Sequence, residues 1–188
     1  FTATVTIAFS GTSTTVVNEA GDGVTFTQNG AGITITSAVA GVEYVLSGTA
    51  TGGNVEIQSA SAAKLTLNGV NLTGTDGPAI TIQSTNRCFI VLAEGTLNTL
   101  TDSSTYTRSG EGALYSTGPL IFSGRGSVAV TGKKKHGIYS GAYIRMLGGD
   151  VAVAAAPKDG LHAIQFFRMD NGSLTVAATG DGIDGDAG

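Results

Sequence analysis

The chain has 188 residues, 41% of them hydrophobic, so it is long and apolar enough to bury one continuous core. Charged residues make up only 13%, about half the usual quarter, and the 29 glycines are accompanied by just three prolines. That balance excludes ordinary disorder, which needs high charge and few apolar residues, and the net charge of −4 with a pI near 5.0 gives no basis for binding nucleic acid.

In chain order, residues 1–50 begin with strict alternation. Ala3, Val5, Ile7 and Phe9 face one way, and Thr2, Thr4, Thr6 and Ala8 the other. VTFTQ and ITITS follow the same pattern, and this segment is expected to start the fold and cap its end. Phe1 stands directly at a strand-like run, as in a processed chain. Farther on come VEIQS and KLTLNGVNL, again Val/Ile/Thr-rich and separated by Gly and Asn turns. Cys88 in RCFIVL is the sole cysteine, so it forms no internal disulfide and is expected to be a buried thiol. Residues 93–109, AEGTLNTLTDSSTYTRS, are expected to be a loop bulging from the repeat.

From about Gly110 onward the repeat is explicit. Leu114, Ile138, Leu161 and Ile183 recur at 22 to 24 residues, while Val130, Val153, Val176 and Gly126, Gly149, Gly172 recur at 23. Three columns with one period indicate a stacked repeat. Each repeat holds short strands and no helix: GIYS, YIRML and DVAVAA in one unit. The expectation is a single all-β domain over 1–188. It is a parallel β-helix, or β-solenoid, with three short strands per coil of about 23 residues and coils spaced by about 4.8 Å.

The outward positions carry the chemistry. Tyr115, Tyr139, His162 and Asp184 follow the inward aliphatic residue, and His136, Asp159 and Asp181 lie two before it. Asp159, Asp181, Asp184 and Asp186 are thus expected within one or two coils of one another, as a candidate calcium site of stacked carboxylates. The competing reading is a solvated acidic turn. Tyr115, Tyr139 and Tyr143 are candidates for stacking on sugar rings, with packing on each other as the alternative. Lys135, Lys158 and His162 are candidates for carbohydrate contact. Arg125, Arg145 and Arg168 are further basic positions that could recognise uronates or act as a base, with simple solvation as the alternative. His136 and His162 lack Cys or Glu partners at zinc-like spacing, and read as surface or turn residues. No Ser-His-Asp set is identifiable.

YVLSGTA, KLTLNGVNLTGTDGPAI, CFIVLAEGTLNTLTDSSTY, GALYSTGPLIFSGRGSVAVTG, KDGLHA and GDGIDGD together resemble a bacterial family of carbohydrate-binding, pectate-lyase-like β-helices. The resemblance runs from about Ala3 to Asp186. It implies a right-handed parallel β-helix at the cell surface that binds cellulose or an acidic polysaccharide such as pectin, with calcium bound; the leading expectation is a non-catalytic binding protein of this kind. The chain departs from the family in being less charged and in stopping at Gly188. A second expectation is a filament subunit, joined head to tail by donation of the strand Thr2–Ser10 to an open C-terminal coil. A third is a polysaccharide lyase or hydrolase, for which no pair of roles is fixed by spacing.

Overall fold

The structure is a computed structural model that describes residues 1–185. Its strands are β1 (Ala3–Gly11), β2 (Ser13–Asn18), β3 (Val24–Asn29), β4 (Gly32–Ser37), β5 (Val42–Thr51), β6 (Val55–Ser59) and β7 (Ala63–Thr73). Three triplets follow: β8 (Ile80–Gln83), β9 (Cys88–Leu92), β10 (Leu97–Thr101); β11 (Gly112–Ser116), β12 (Leu120–Gly124), β13 (Ser127–Thr131); and β14 (His136–Ser140), β15 (Ile144–Met146), β16 (Asp150–Ala155). A last triplet, β17 (Leu161–Ala163), β18 (Phe167–Met169) and β19 (Ser173–Val176), precedes β20 (Ile183–Gly185). The chain is all-β; a single short 3₁₀ turn at Gly21–Gly23 is its helical content among the described residues.

From β8 onward, each strand pairs in parallel with the strand three places along. The order β8-β11-β14-β17-β20 lies in one sheet, and β9-β12-β15-β18 and β10-β13-β16-β19 lie in the other. The pairing aligns like with like. Ile80, Leu114, Ile138, Leu161 and Ile183 form one inward column. Leu100, Val130, Val153 and Val176 form a second, and Leu65, Ile90, Phe122, Met146 and Met169 a third. Most of these side chains are wholly buried. Exposure returns on the last rung, where Ile183 is 43% and Met169 42% exposed.

The N-terminal part departs from three short strands per repeat. β5 and β7 are single long strands, and β7 pairs with β9 through one half and with β10 through the other. The bend falls at Gly69, whose φ of +73° is open only to glycine without strain. Buried Asn98 secures the bend. Its Oδ1 accepts the N–H groups of Gly69 and Val70 at 2.9 Å, and its Nδ2 donates to the Ser127 carbonyl at 2.9 Å.

The expected loop 93–109 also needs correcting. Leu97–Thr101 is β10, a regular strand whose Leu100 belongs to the core. The excursion is 102–111, and it is pinned rather than loose. The carboxylate of Asp102 accepts from the Tyr106 hydroxyl at 2.6 Å and from the backbone N–H of Lys133 at 2.5 Å, while Arg108 meets Asp76 at 3.0 Å. A buried carboxylate with several donors fixes a segment whose composition alone reads as a loop.

The strand Thr2–Ser10 is not available for donation. β1 pairs antiparallel with β2 on one side and parallel with β5 on the other, so both its hydrogen-bonding edges are used. β3 and β4 likewise form an antiparallel hairpin at the same end of the other sheet. Residues 1–50, expected to start the fold and cap its end, thus supply two hairpins at one end of the sheets. Cys88 is buried, as expected.

Candidate functional site

Two places gather polar chemistry. The first is the turn leading into β17. Parallel pairing aligns Tyr115, Tyr139, His162 and Asp184 along the outer face of β11, β14, β17 and β20. Rungs spaced by about 4.8 Å force neighbouring rings into contact. Tyr115 and Tyr139 have centroids 5.3 Å apart, and Tyr139 stacks on His162 at 5.1 Å with planes 14° apart. These rings therefore ladder on one another. Lys135 pairs with Glu111, and Lys158 Nζ lies 3.6 Å from Asp159 Oδ2.

Asp159 sits at the centre of this region, 3% exposed. Its Oδ1 accepts the backbone N–H of Asp181 at 3.1 Å. Its Oδ2 is 3.2 Å from His136 Nδ1 and 3.5 Å from His162 Nδ1. His162 Nδ1 is also 2.8 Å from Asp184 Oδ2. Burial holds the His136 imidazole down at about 4, so it is neutral near pH 7. Burial alone would raise the Asp159 carboxyl, but the Asp181 N–H it accepts and the nearby Lys158 ammonium outweigh it and keep the group below its ordinary value. Neutral imidazole beside carboxylate is the protonation state in which both can donate electron pairs.

Of the four aspartates expected to hold calcium, the three among the described residues make separate contacts. Asp181 offers Asp159 a backbone N–H, Asp184 meets His162, and Asp186 lies outside the described residues. Among the described residues, His136, Asp159 and His162 are the one group of three or more such side chains with donor atoms within 4.8 Å. Calcium takes six to eight oxygens, at about 2.3–2.6 Å. A set with two imidazoles and one carboxylate does not fit that requirement. His136 also corrects the surface reading, being 1% exposed. Its position in one column with Asp159 and Asp181 was the available signal, because stacking turns a spacing of 23 into a contact.

The second place is a groove of about 450 Å³ on the outer face of β9, β12, β15 and β18. Phe89, Ile121, Leu147 and Phe166 supply its apolar surface, and Arg87, Arg145 and Arg168 its charge. Arg145 and Arg168 occupy one outward column, and both meet Asp170, at 2.6 and 2.8 Å. Arg87 Nε donates to the Tyr143 hydroxyl at 3.2 Å. Tyr143 therefore belongs to this groove and not with Tyr115 and Tyr139. Arg125 lies elsewhere, exposed and 3.7 Å from Glu94. The spacing of Arg145 and Arg168 was legible; the contribution of Arg87, from a turn before β9, was not.

A family model described as "Carbohydrate-binding domain-containing protein" matches residues 29–187. A protein of that description from Acetivibrio thermocellus is 32% identical over 114 residues, which cover 56% of this chain and 40% of the relative. The match thus spans well under half of that relative's length. Among solved structures, "the polysaccharide lyase-like protein from C. thermocellum, Gadolinium derivative" superimposes with a TM-score of 0.77 at 19% identity, covering 98% of this chain and 95% of the other. That likeness is one of fold.

Proposed function

The chain belongs to the carbohydrate-binding domain-containing protein family, and on that premise we propose that it is a non-catalytic, extracellular module that binds an acidic polysaccharide. The strand triplets read as coils of a right-handed parallel β-helix, the hand that crossovers between parallel strands adopt almost without exception. The observation that carries the functional reading is the groove in which Arg87, Arg145 and Arg168 stand over Phe89, Ile121 and Phe166. Guanidinium groups bind carboxylates in a two-pronged fashion, and apolar surface suits the C–H face of a pyranose. With three arginines against Asp170, the groove favours a uronate chain over neutral cellulose. Such polymers lie outside the cell, so the proposal includes an extracellular location.

The test is affinity electrophoresis in gels containing polygalacturonate or a soluble cellulose derivative, with calcium and with chelator. Retardation by polygalacturonate that fades with salt supports the reading. Equal migration in every gel overturns it. Growth of ultraviolet absorbance from an unsaturated uronate end would make the protein a lyase instead.

A further inference from the structure

The geometry points to a binding site for a borderline divalent metal ion of the zinc class, held by His136, Asp159 and His162 with Asp184 beside them. Three observations converge on it. First, His136 Nδ1 and Asp159 Oδ2 are both buried and make no hydrogen bond, although both are strong polar groups. Buried polar atoms without partners are rare, and a shared ion resolves both at once. Second, the separations suit one ion. Donors on a tetrahedron with bonds of about 2.0–2.1 Å lie roughly 3.3–3.4 Å apart. Asp159 Oδ2 is 3.2 Å from His136 Nδ1 and 3.5 Å from His162 Nδ1. Third, the donor chemistry selects the ion. Imidazole suits zinc, copper, nickel and cobalt, whereas calcium and magnesium require oxygen.

The four residues come from three stacked rungs. His136 opens β14, Asp159 and His162 flank the entry to β17, and Asp184 lies in β20. An ion here would tie those rungs together across the outer face. Asp184 Oδ2, 2.8 Å from His162 Nδ1, faces the same ring nitrogen that the ion would take, and so serves as a fourth ligand. Lys158 is the competing cation, but its side chain is 52% exposed and it stands 3.6 Å from the carboxylate.

The experiment is titration of chelator-treated protein with Co²⁺, read by visible absorption, followed by competition with Zn²⁺ and with Ca²⁺. The expected result is a strong visible band saturating at one equivalent, removed by stoichiometric Zn²⁺ and unaffected by millimolar Ca²⁺. In His162→Gln, whose side chain lies at the rim, affinity for Zn²⁺ should fall by about 100-fold or more, since even outer hydrogen-bond partners of ligands are worth roughly 10–100-fold. His136→Asn is the second variant, with circular dichroism checking its fold. Should both variants fail to fold, zinc-edge X-ray absorption of the wild-type protein decides: imidazole scattering supports the site, and its absence overturns it. Absence of the visible band, or displacement of Co²⁺ by Ca²⁺, also overturns it. None of these outcomes depends on polysaccharide binding.

Discussion

Tyr143 and Phe166 stack face to face, with centroids 4.9 Å apart and planes within 3° of parallel. They occupy successive repeats at the rim of the arginine groove, and Phe166 remains 44% exposed. Phe166→Ala removes one face of that pair, a contact worth about 0.5–1.5 kcal/mol beyond its area. The expected outcome is weaker retention on polygalacturonate with little change in melting temperature, checked by affinity electrophoresis and calorimetry on the same samples.

Arg145 and Arg168 share Asp170, so a single substitution leaves the other cation in place. The double variant Arg145→Ala/Arg168→Ala removes two of the three guanidinium groups. Hydrogen bonds to charged groups contribute about 1.5–3 kcal/mol each, so affinity for polygalacturonate should drop at least tenfold. Its salt dependence should flatten in parallel, as measured by titration calorimetry at two ionic strengths.

Asp102 introduces a pH dependence of known sign. Burial pushes its carboxyl up, and the donors from Tyr106, Lys133 and Lys134 offset this only in part. A carboxyl raised in the folded state contributes stability that is full below the unfolded value of about 3.9 and is lost as pH rises through the folded value. Asp102→Asn removes that contribution. Melting curves from pH 3.5 to 7 should show the wild-type term declining with pH and the variant without it. The variant should also sit about 1–3 kcal/mol lower, because asparagine has one acceptor oxygen where two are used.

Cys88 is enclosed by the core, and burial pushes its thiol up to about 12. At pH 8 only about one molecule in ten thousand would carry the reactive thiolate. Iodoacetamide should leave the native protein unmodified over hours and alkylate it fully in denaturant, as mass spectrometry would report.

Gly124 closes β12 with φ at +103°, and a Cβ there would run into the carbonyl oxygen of Leu92. Gly124→Ala combines backbone strain with a steric clash and should cost roughly 2–4 kcal/mol. Each of those is expected to lower the melting point by about 2–4 °C for a chain of this size.

The inward columns were legible because register in a parallel stack copies sequence spacing directly. Leu114, Ile138, Leu161 and Ile183 meet as their period requires. β10 was hidden for the opposite reason. LNTLT is Thr- and Asn-rich, and its place in the sheet depends on β7 and β13, which lie far off in sequence. The ring column Tyr115, Tyr139, His162 was visible as a column. Its self-packing, the alternative that the sequence already offered to sugar contact, follows from rung spacing. The burial of His136 could not be read from KKKHG, whose three lysines suggest water; only the third dimension puts Asp159 and the His162 ring around it. The groove required Arg87 to reach across to Tyr143, 56 positions away.

The hairpins β1–β2 and β3–β4 reverse the chain at one end of both sheets, while every strand from β8 onward meets only parallel neighbours. The length of the molecule is therefore an independent variable. A tandem duplication of one triplet, such as 112–135, would insert a floor between existing floors without disturbing the foundation. It would lengthen the groove-bearing face by about 4.8 Å, adding a second Ile121 to its apolar surface, and deepen the core by one layer of aliphatic residues. A building of this kind can be made taller from the middle, and the reach of its groove along a polymer grows with each storey.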